Sequence, residues 1–159
     1  MNNQKFNSIL KRKSQLKKFA RRIIPNCDII FGQLPDGICG ACGKKIANNY
    51  YIWISFHKIY RCSINCLKAV VAHEVSHHLV SEEQGKNIPP SICEFLTHKR
   101  AIEEVGKIGD EKVLDKLFHI WNSFEKLGWK KHRIYRIAHK RYNPIINKIF
   151  LKAKEGIEK

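Results

Sequence analysis

Apolar residues recur at helical spacing toward both ends of the chain and at a shorter period in the stretch between Cys27 and Phe56. Over residues 3–24, Phe6, Ile9, Leu10, Leu16, Phe19 and Ile23 stand among Lys and Arg, a pattern that predicts an amphipathic helix ended by Pro25. Residues 29–31 form a short apolar run stopped by Gly32 and by the turn-forming Pro35-Asp36-Gly37, which predicts a strand. Cys39-Gly40-Ala41-Cys42-Gly43 reads as a tight loop. Residues 50–56, aromatic and β-branched, carry the strongest strand signal. A helix is predicted over 63–80, then a polar loop over 81–87. A second helix opens at Pro89-Pro90 with Ser91 as N-cap and runs to about Gly106. A third spans 110–127, with Val113, Leu114, Leu117, Phe118, Trp121 and Phe124 as its core face. After Gly128 the pattern predicts a basic helical tail interrupted by Pro144.

These elements predict an α+β fold with a short antiparallel or mixed sheet and basic helical flanks. The expected divisions are an N-terminal helix over 1–25, a body over 26–127 and a C-terminal extension over 128–159. The 159 residues suit one modest core. No stretch is apolar for long enough to cross a bilayer, and no apolar segment follows the N-terminal charges as a secretory signal requires. A cytoplasmic location is therefore expected, with the six Cys reduced and available to metal.

Charge adds a partner to this picture. Residues 1–27 hold eight Lys/Arg and no acid, residues 126–159 hold eleven against two, and the stretch between holds eleven against twelve. Two basic arms on a near-neutral body suit a polyanion such as DNA or RNA. Trp129-Lys130-Lys131-His132-Arg133-Ile134-Tyr135-Arg136 and His139-Lys140-Arg141-Tyr142 interleave aromatics with cations, as base stacking combined with phosphate neutralisation needs.

The candidate chemistry lies on the helix over 63–80, in His73-Glu74-Val75-Ser76-His77. Residues four apart share a helix face, so His73 and His77 can point two imidazoles at one metal ion. Glu74 is offset around the helix, where its carboxylate can reach a water instead of the metal. His78 falls on a face nearer Glu74 and is expected at the helix surface. A catalytic zinc needs a third protein ligand, and the next helix offers Glu94, His98, Glu103 and Glu104. Glu94 is favoured, with His98 one turn on to orient a ligand; Ser91-x-x-Glu94 also fits a capping box, which would pass the role to Glu103 or Glu104.

A second, structural zinc is expected at Cys39, Cys42, Cys62 and Cys66. Cys39-x-x-Cys42-Gly43 has the form of a zinc knuckle, and Cys62-x-x-x-Cys66 would bring two more thiolates from the start of the motif helix. Cys27 and Cys93 are expected to be plain thiols, and His57 is given no role.

Val71-Ala72-His73-Glu74-Val75-Ser76-His77-His78-Leu79-Val80 resembles the zincin metallopeptidases, and with Glu94 as third ligand the chain is similar to the gluzincins, in particular the small minigluzincin-type domains. Those carry Asp where His98 stands here. More distantly, the basic flanks and Cys-rich element resemble the SprT-like proteases, although the Cys pairs here precede the motif. The resemblance implies a protein or peptide substrate, hydrolysis through metal-activated water and Glu74 as the catalytic base. If strand 50–56 forms the sheet edge above the helix, it could pair with an extended substrate. The alternative is a zinc-stabilised nucleic-acid-binding protein without catalysis.

Overall fold

The first helix forms as α1 (Asn3–Ile23), in a computed structural model that describes residues 3–35, 38–85, 87–123 and 133–158. It buries Ile9, Leu16, Phe19 and Ala20 and leaves Phe6 and Leu10 half exposed. Several of its cations are committed within the fold. Arg12 donates to the carbonyls of Ile59 and Cys62, Arg21 to that of Cys27, and Lys17 pairs with Asp28 at 2.9 Å.

β1 (Cys27–Gly32), β2 (Gly40–Cys42) and β3 (Tyr50–Ser55) make a mixed sheet in the order β1-β3-β2. β1 runs parallel to β3, and β2 antiparallel to it with Gly40 opposite Ile54 and Cys42 opposite Ile52. Two expectations change here. The segment 39–43 is not a tight loop, because it extends and pairs with β3. Strand 50–56 is not an edge: β3 is central among the described residues, its Ile52 and Ile54 are fully buried, and Phe56 already opens α2 (Phe56–Arg61). The edge on that side is β2.

α3 (Ile64–Gln84) starts at Ser63, whose side chain accepts from the Cys66 N–H as an N-cap. It runs through most of the expected 81–87 loop and stops at Gly85, in the positive-φ region at φ 76°. α4 (Pro90–Ile108) has Pro89 at the cap position and Pro90 in its first turn. Ser91 is therefore inside the helix and does not cap it, which leaves Glu94 free to face elsewhere. Gly109, left-handed, ends α4 and returns its N–H to the carbonyls of Val105 and Gly106. α5 (Glu111–Ser123) follows; the remainder of the expected third helix, to Leu127, lies outside the described residues.

α6 (Arg133–Ile157) continues through Pro144 instead of breaking there. A proline inside a helix costs about 3 kcal/mol. Pro144 sits on the exposed side, while Ala138, Ile146 and Phe150 on either side of it are buried and hold the helix against the body. Phe150 stacks on Phe118, Tyr142 stacks on Phe95, and Trp121 donates to Asn143 at 2.9 Å. Gly106 lets α4 and α6 approach closely, since a Cβ there would stand 3.1 Å from that of Ala153. Residues of α1 and α6 belong to the same core cluster as those of β1, β3, α3, α4 and α5. The fold is α+β: α3 packs against α1, β2 and β3 and also against α4 and α5, and α6 packs on α4 and α5. Among the described residues, no helix is long and apolar enough to cross a membrane.

Candidate metal centre

His73 and His77 stand one turn apart on α3 with ring centroids 4.9 Å apart, edge to face. Glu94, near the start of α4, faces both. Its Oε2 lies 3.3 Å from His73 Nε2 and its Oε1 3.7 Å from His77 Nε2. One ligand atom from each residue falls within 4.8 Å of the other two, and among the described residues this is the one group of three or more that converges so. The other candidates go elsewhere. Glu103 pairs with Lys99, Glu104 pairs with Arg100 and Lys107, and His98 stacks on Trp121 at 4.7 Å.

The three residues fit a divalent cation. Glu94 Oε2 is buried 3.3 Å from His73 Nε2, and two imidazoles converge on the same carboxylate. Lone pairs gathered in a partly dry pocket need a positive centre between them. Two imidazole nitrogens and one carboxylate oxygen are also the donor set of a catalytic zinc with an open fourth position.

Two further side chains touch the rings, Thr97 at the His77 nitrogen turned away from Glu94 and Tyr135 at the His73 nitrogen that faces it. Thr97 Oγ1 is 3.1 Å from His77 Nδ1, and the Tyr135 hydroxyl is 3.0 Å from His73 Nε2 and lies beside Glu94. Sequence reasoning missed both. Thr97 was within reach of it, being three residues after Glu94 on the same helix. Tyr135 was not, because only the docking of α6 brings it to a residue 62 positions away. The orienting role expected of His98 does not hold: its ring is buried, bonds to the Leu117 backbone, and its Nε2 finds no partner.

Burial dominates the electrostatics. It pushes the Glu74 carboxyl up to about 7, opposed by the nearby His73 and by the Cys42 N–H that the carboxylate accepts. It drives His77 down to about 4, helped by the charge of His73. For Glu94, burial acts upward, but His73, His77 and Tyr135 outweigh it and hold the group at about 2. His73 moves the other way: burial lowers it, and Glu94 more than offsets this. Each member of the pair favours the charged form of the other, so a dication entering between them competes with protonation of His73.

Glu74 sits under β2. A Cβ on Gly40 would meet Val70 at 2.6 Å and Glu74 Cγ at 3.1 Å, so only glycine lets the edge strand lie this close to the helix. His73, Glu74, His77 and Glu94 line a cleft of about 390 Å³ whose remaining wall includes the apolar Val70, Leu117, Ile120 and Trp121.

Other expectations fare differently. His78 is buried, not on the helix surface, with Nε2 3.2 Å from the Tyr51 carbonyl oxygen. The Cys39-x-x-Cys42 knuckle does not form. Cys39 precedes β2 and Cys42 ends it, side chains three apart on extended backbone point to opposite faces, and Cys39, Cys62 and Cys66 line the cleft whereas Cys42 does not. Cys93 is 3.9 Å from His77 Nδ1. Of the aromatics proposed to stack bases, Tyr135 turns onto His73 and Tyr142 onto Phe95. Trp129 to His132 lie outside the described residues.

No family model matches the chain, and no curated protein or solved structure matches it either.

Proposed function

We propose that the protein is a zinc-dependent metallopeptidase, of the gluzincin kind that its motif resembles. The observation that carries this reading is the convergence of His73, His77 and Glu94, with Glu74 one residue along the same helix and aimed into the same cleft. His73, His77 and Glu94 would hold the ion, which when bound polarises a carbonyl and acidifies water. Glu74 takes the proton of the attacking water and hands it to the leaving amine. A buried carboxyl with a raised pKa suits that exchange, because it can both accept and release a proton near neutrality. The Cys42 N–H holds one side of this carboxylate, so its free oxygen is directed. The Tyr135 hydroxyl stands where it can donate to a developing oxyanion.

β2 supplies a place for the substrate. It is the sheet edge over Glu74, and an extended peptide can add to such an edge through backbone hydrogen bonds. The substrate class is accordingly a protein or peptide in extended conformation.

Glu74→Gln tests the reading. The variant is expected to retain its zinc and to lose cleavage of an unfolded protein substrate by about 10²–10⁴-fold, the usual worth of a positioned base. A variant that keeps wild-type cleavage would remove Glu74 from the mechanism and the proposal with it.

A further inference from the structure

α6 meets the body along one face, where Ala138, Ile146 and Phe150 are buried. The opposite face carries Arg133, Arg136, Lys140, Arg141, Lys148 and Lys152, all exposed. None of the six forms an ion pair with a described residue, and Arg141 rests over the ring of Tyr142 beside it. Cations elsewhere are taken up within the fold: Lys17 pairs with Asp28, Lys68 with Asp110, and Lys154, on the inner side of α6 itself, with Glu111 and Asp115. Glu155 is the one acid in α6.

The cationic face is also apolar. Ile134, Ile137, Ile145 and Leu151 are 43–58 % exposed, four of the ten large apolar side chains left so among the described residues. Helical spacing interleaves them with the charges. Arg133, Ile137, Lys140, Pro144, Lys148 and Leu151 follow one line along the helix at steps of three or four. Ile134, Arg141, Ile145 and Lys152 follow a second line beside it.

We propose that this face of α6 docks on the surface of a bilayer that contains anionic lipid. A nucleic acid would also answer the charge, and the uncharged side chains choose between the two. Bases are held by aromatic stacking or by polar groups at their edges. Here Tyr135, Tyr142 and Phe150 turn inward, onto His73, Phe95 and Phe118. What stands outward between the cations is branched aliphatic. Such side chains give a phosphate backbone nothing to bond, whereas they enter the boundary between headgroups and acyl chains. The long stems of Lys and Arg let their charges stay at headgroup level beside them. The cations from Arg133 to Lys152 span about 28 Å at the helical rise, enough to meet several headgroups at once. Because its other side is packed on the body, α6 would lie along the lipid surface. The same helix reaches His73 through Tyr135, so docking would hold the cleft at a fixed distance from the lipid.

The surface is independent of the metal centre and is tested apart from it. The full chain is mixed with vesicles of phosphatidylcholine containing about 30 % phosphatidylserine, and bound protein is separated by flotation. Wild type is expected to bind these vesicles and not vesicles of phosphatidylcholine alone. Lys140→Gln and Lys148→Gln are each expected to lower the affinity about fivefold. Ile137→Ser combined with Leu151→Ser leaves the charge unchanged and is expected to lower it about tenfold. Should that pair fail to fold, Leu151→Trp decides. Its fluorescence is expected to shift to the blue on the anionic vesicles and to be quenched by brominated acyl chains more than that of wild type. Equal binding to both kinds of vesicle, binding to neither, undiminished binding by the folded serine pair, or no added quenching in Leu151→Trp overturns the proposal. So does duplex DNA or RNA bound more tightly than the vesicles at the same salt and equally by wild type and the serine pair, which would make the face a nucleic-acid site.

Discussion

His77 is set in place by Thr97, whose Oγ1 lies 3.1 Å from its Nδ1, while Nε2 faces Glu94. Groups that hold the far nitrogen of a ligating imidazole typically govern metal affinity by 10–100-fold. Thr97→Val keeps the shape and removes the hydroxyl, so zinc affinity is expected to fall by about that factor, read by competition with a chelator. An affinity equal to wild type would leave Thr97 as a packing residue. Burial of Thr97 is complete, and the valine variant should fold. At this scale the sequence was readable where chemistry fixes spacing. Two histidines one turn apart and a glutamate beside the first admit few other uses on an apolar helix. Glu94 was readable only as one of several acids, because what separates it from Glu103 and Glu104 is which face of α4 meets α3.

Among the elements, β2 departs furthest from its sequence signal. Gly40 and the two Cys suggest a knuckle, yet the segment pairs with β3 because Ala41 and Cys42 meet Trp53 and Ile52 across the sheet. Tertiary pairing overrides a short glycine-rich motif. α4 shows the same effect in its cap, where two prolines fix the start and displace Ser91. α1, by contrast, was legible throughout, since its apolar stripe and its stop at Pro25 are both local. Its docking on β1 includes the Lys17–Asp28 pair at 2.9 Å. Burial acts to raise Asp28, but the bonds from Lys17 and from the Ile29 N–H outweigh it and hold the carboxyl below its ordinary value. A depressed folded pKa means the contribution is present above the unfolded value of about 3.9 and fades as pH falls through the folded one. The stability gap between wild type and Asp28→Asn is therefore expected to be small at neutral pH, since the pair is partly exposed, and to close below about pH 4. Urea melts at both pH values measure it. A gap that widens in acid would contradict the assignment.

For the whole molecule, the largest difference between pattern and structure is how the basic ends are used. Their charge is real, and Arg133, Arg136, Lys140, Arg141, Lys148 and Lys152 are exposed along α6. Part of their apolar face is core, while Phe6, Leu10, Ile134, Ile137, Ile145 and Leu151 stay exposed. Ile146 and Leu16 are fully buried in one cluster with Val71 and Leu114, and Tyr135 reaches His73 from α6. A flank's charge can be counted from sequence, whereas the partner of its apolar face depends on long-range docking, which periodicity does not encode. The same docking walls the cleft through α5 and α6, and so decides what can approach His73 and His77.

The central claim is that His73, His77 and Glu94 hold one metal ion beside Glu74. Diffraction from crystals of the zinc-loaded protein, with data collected on both sides of the zinc absorption edge, examines it directly. An anomalous peak is expected at about 2.0–2.2 Å from one nitrogen of each histidine and one oxygen of Glu94. Zinc-loaded crystals with no peak among these three side chains, or with Glu94 turned away from it, would contradict the account.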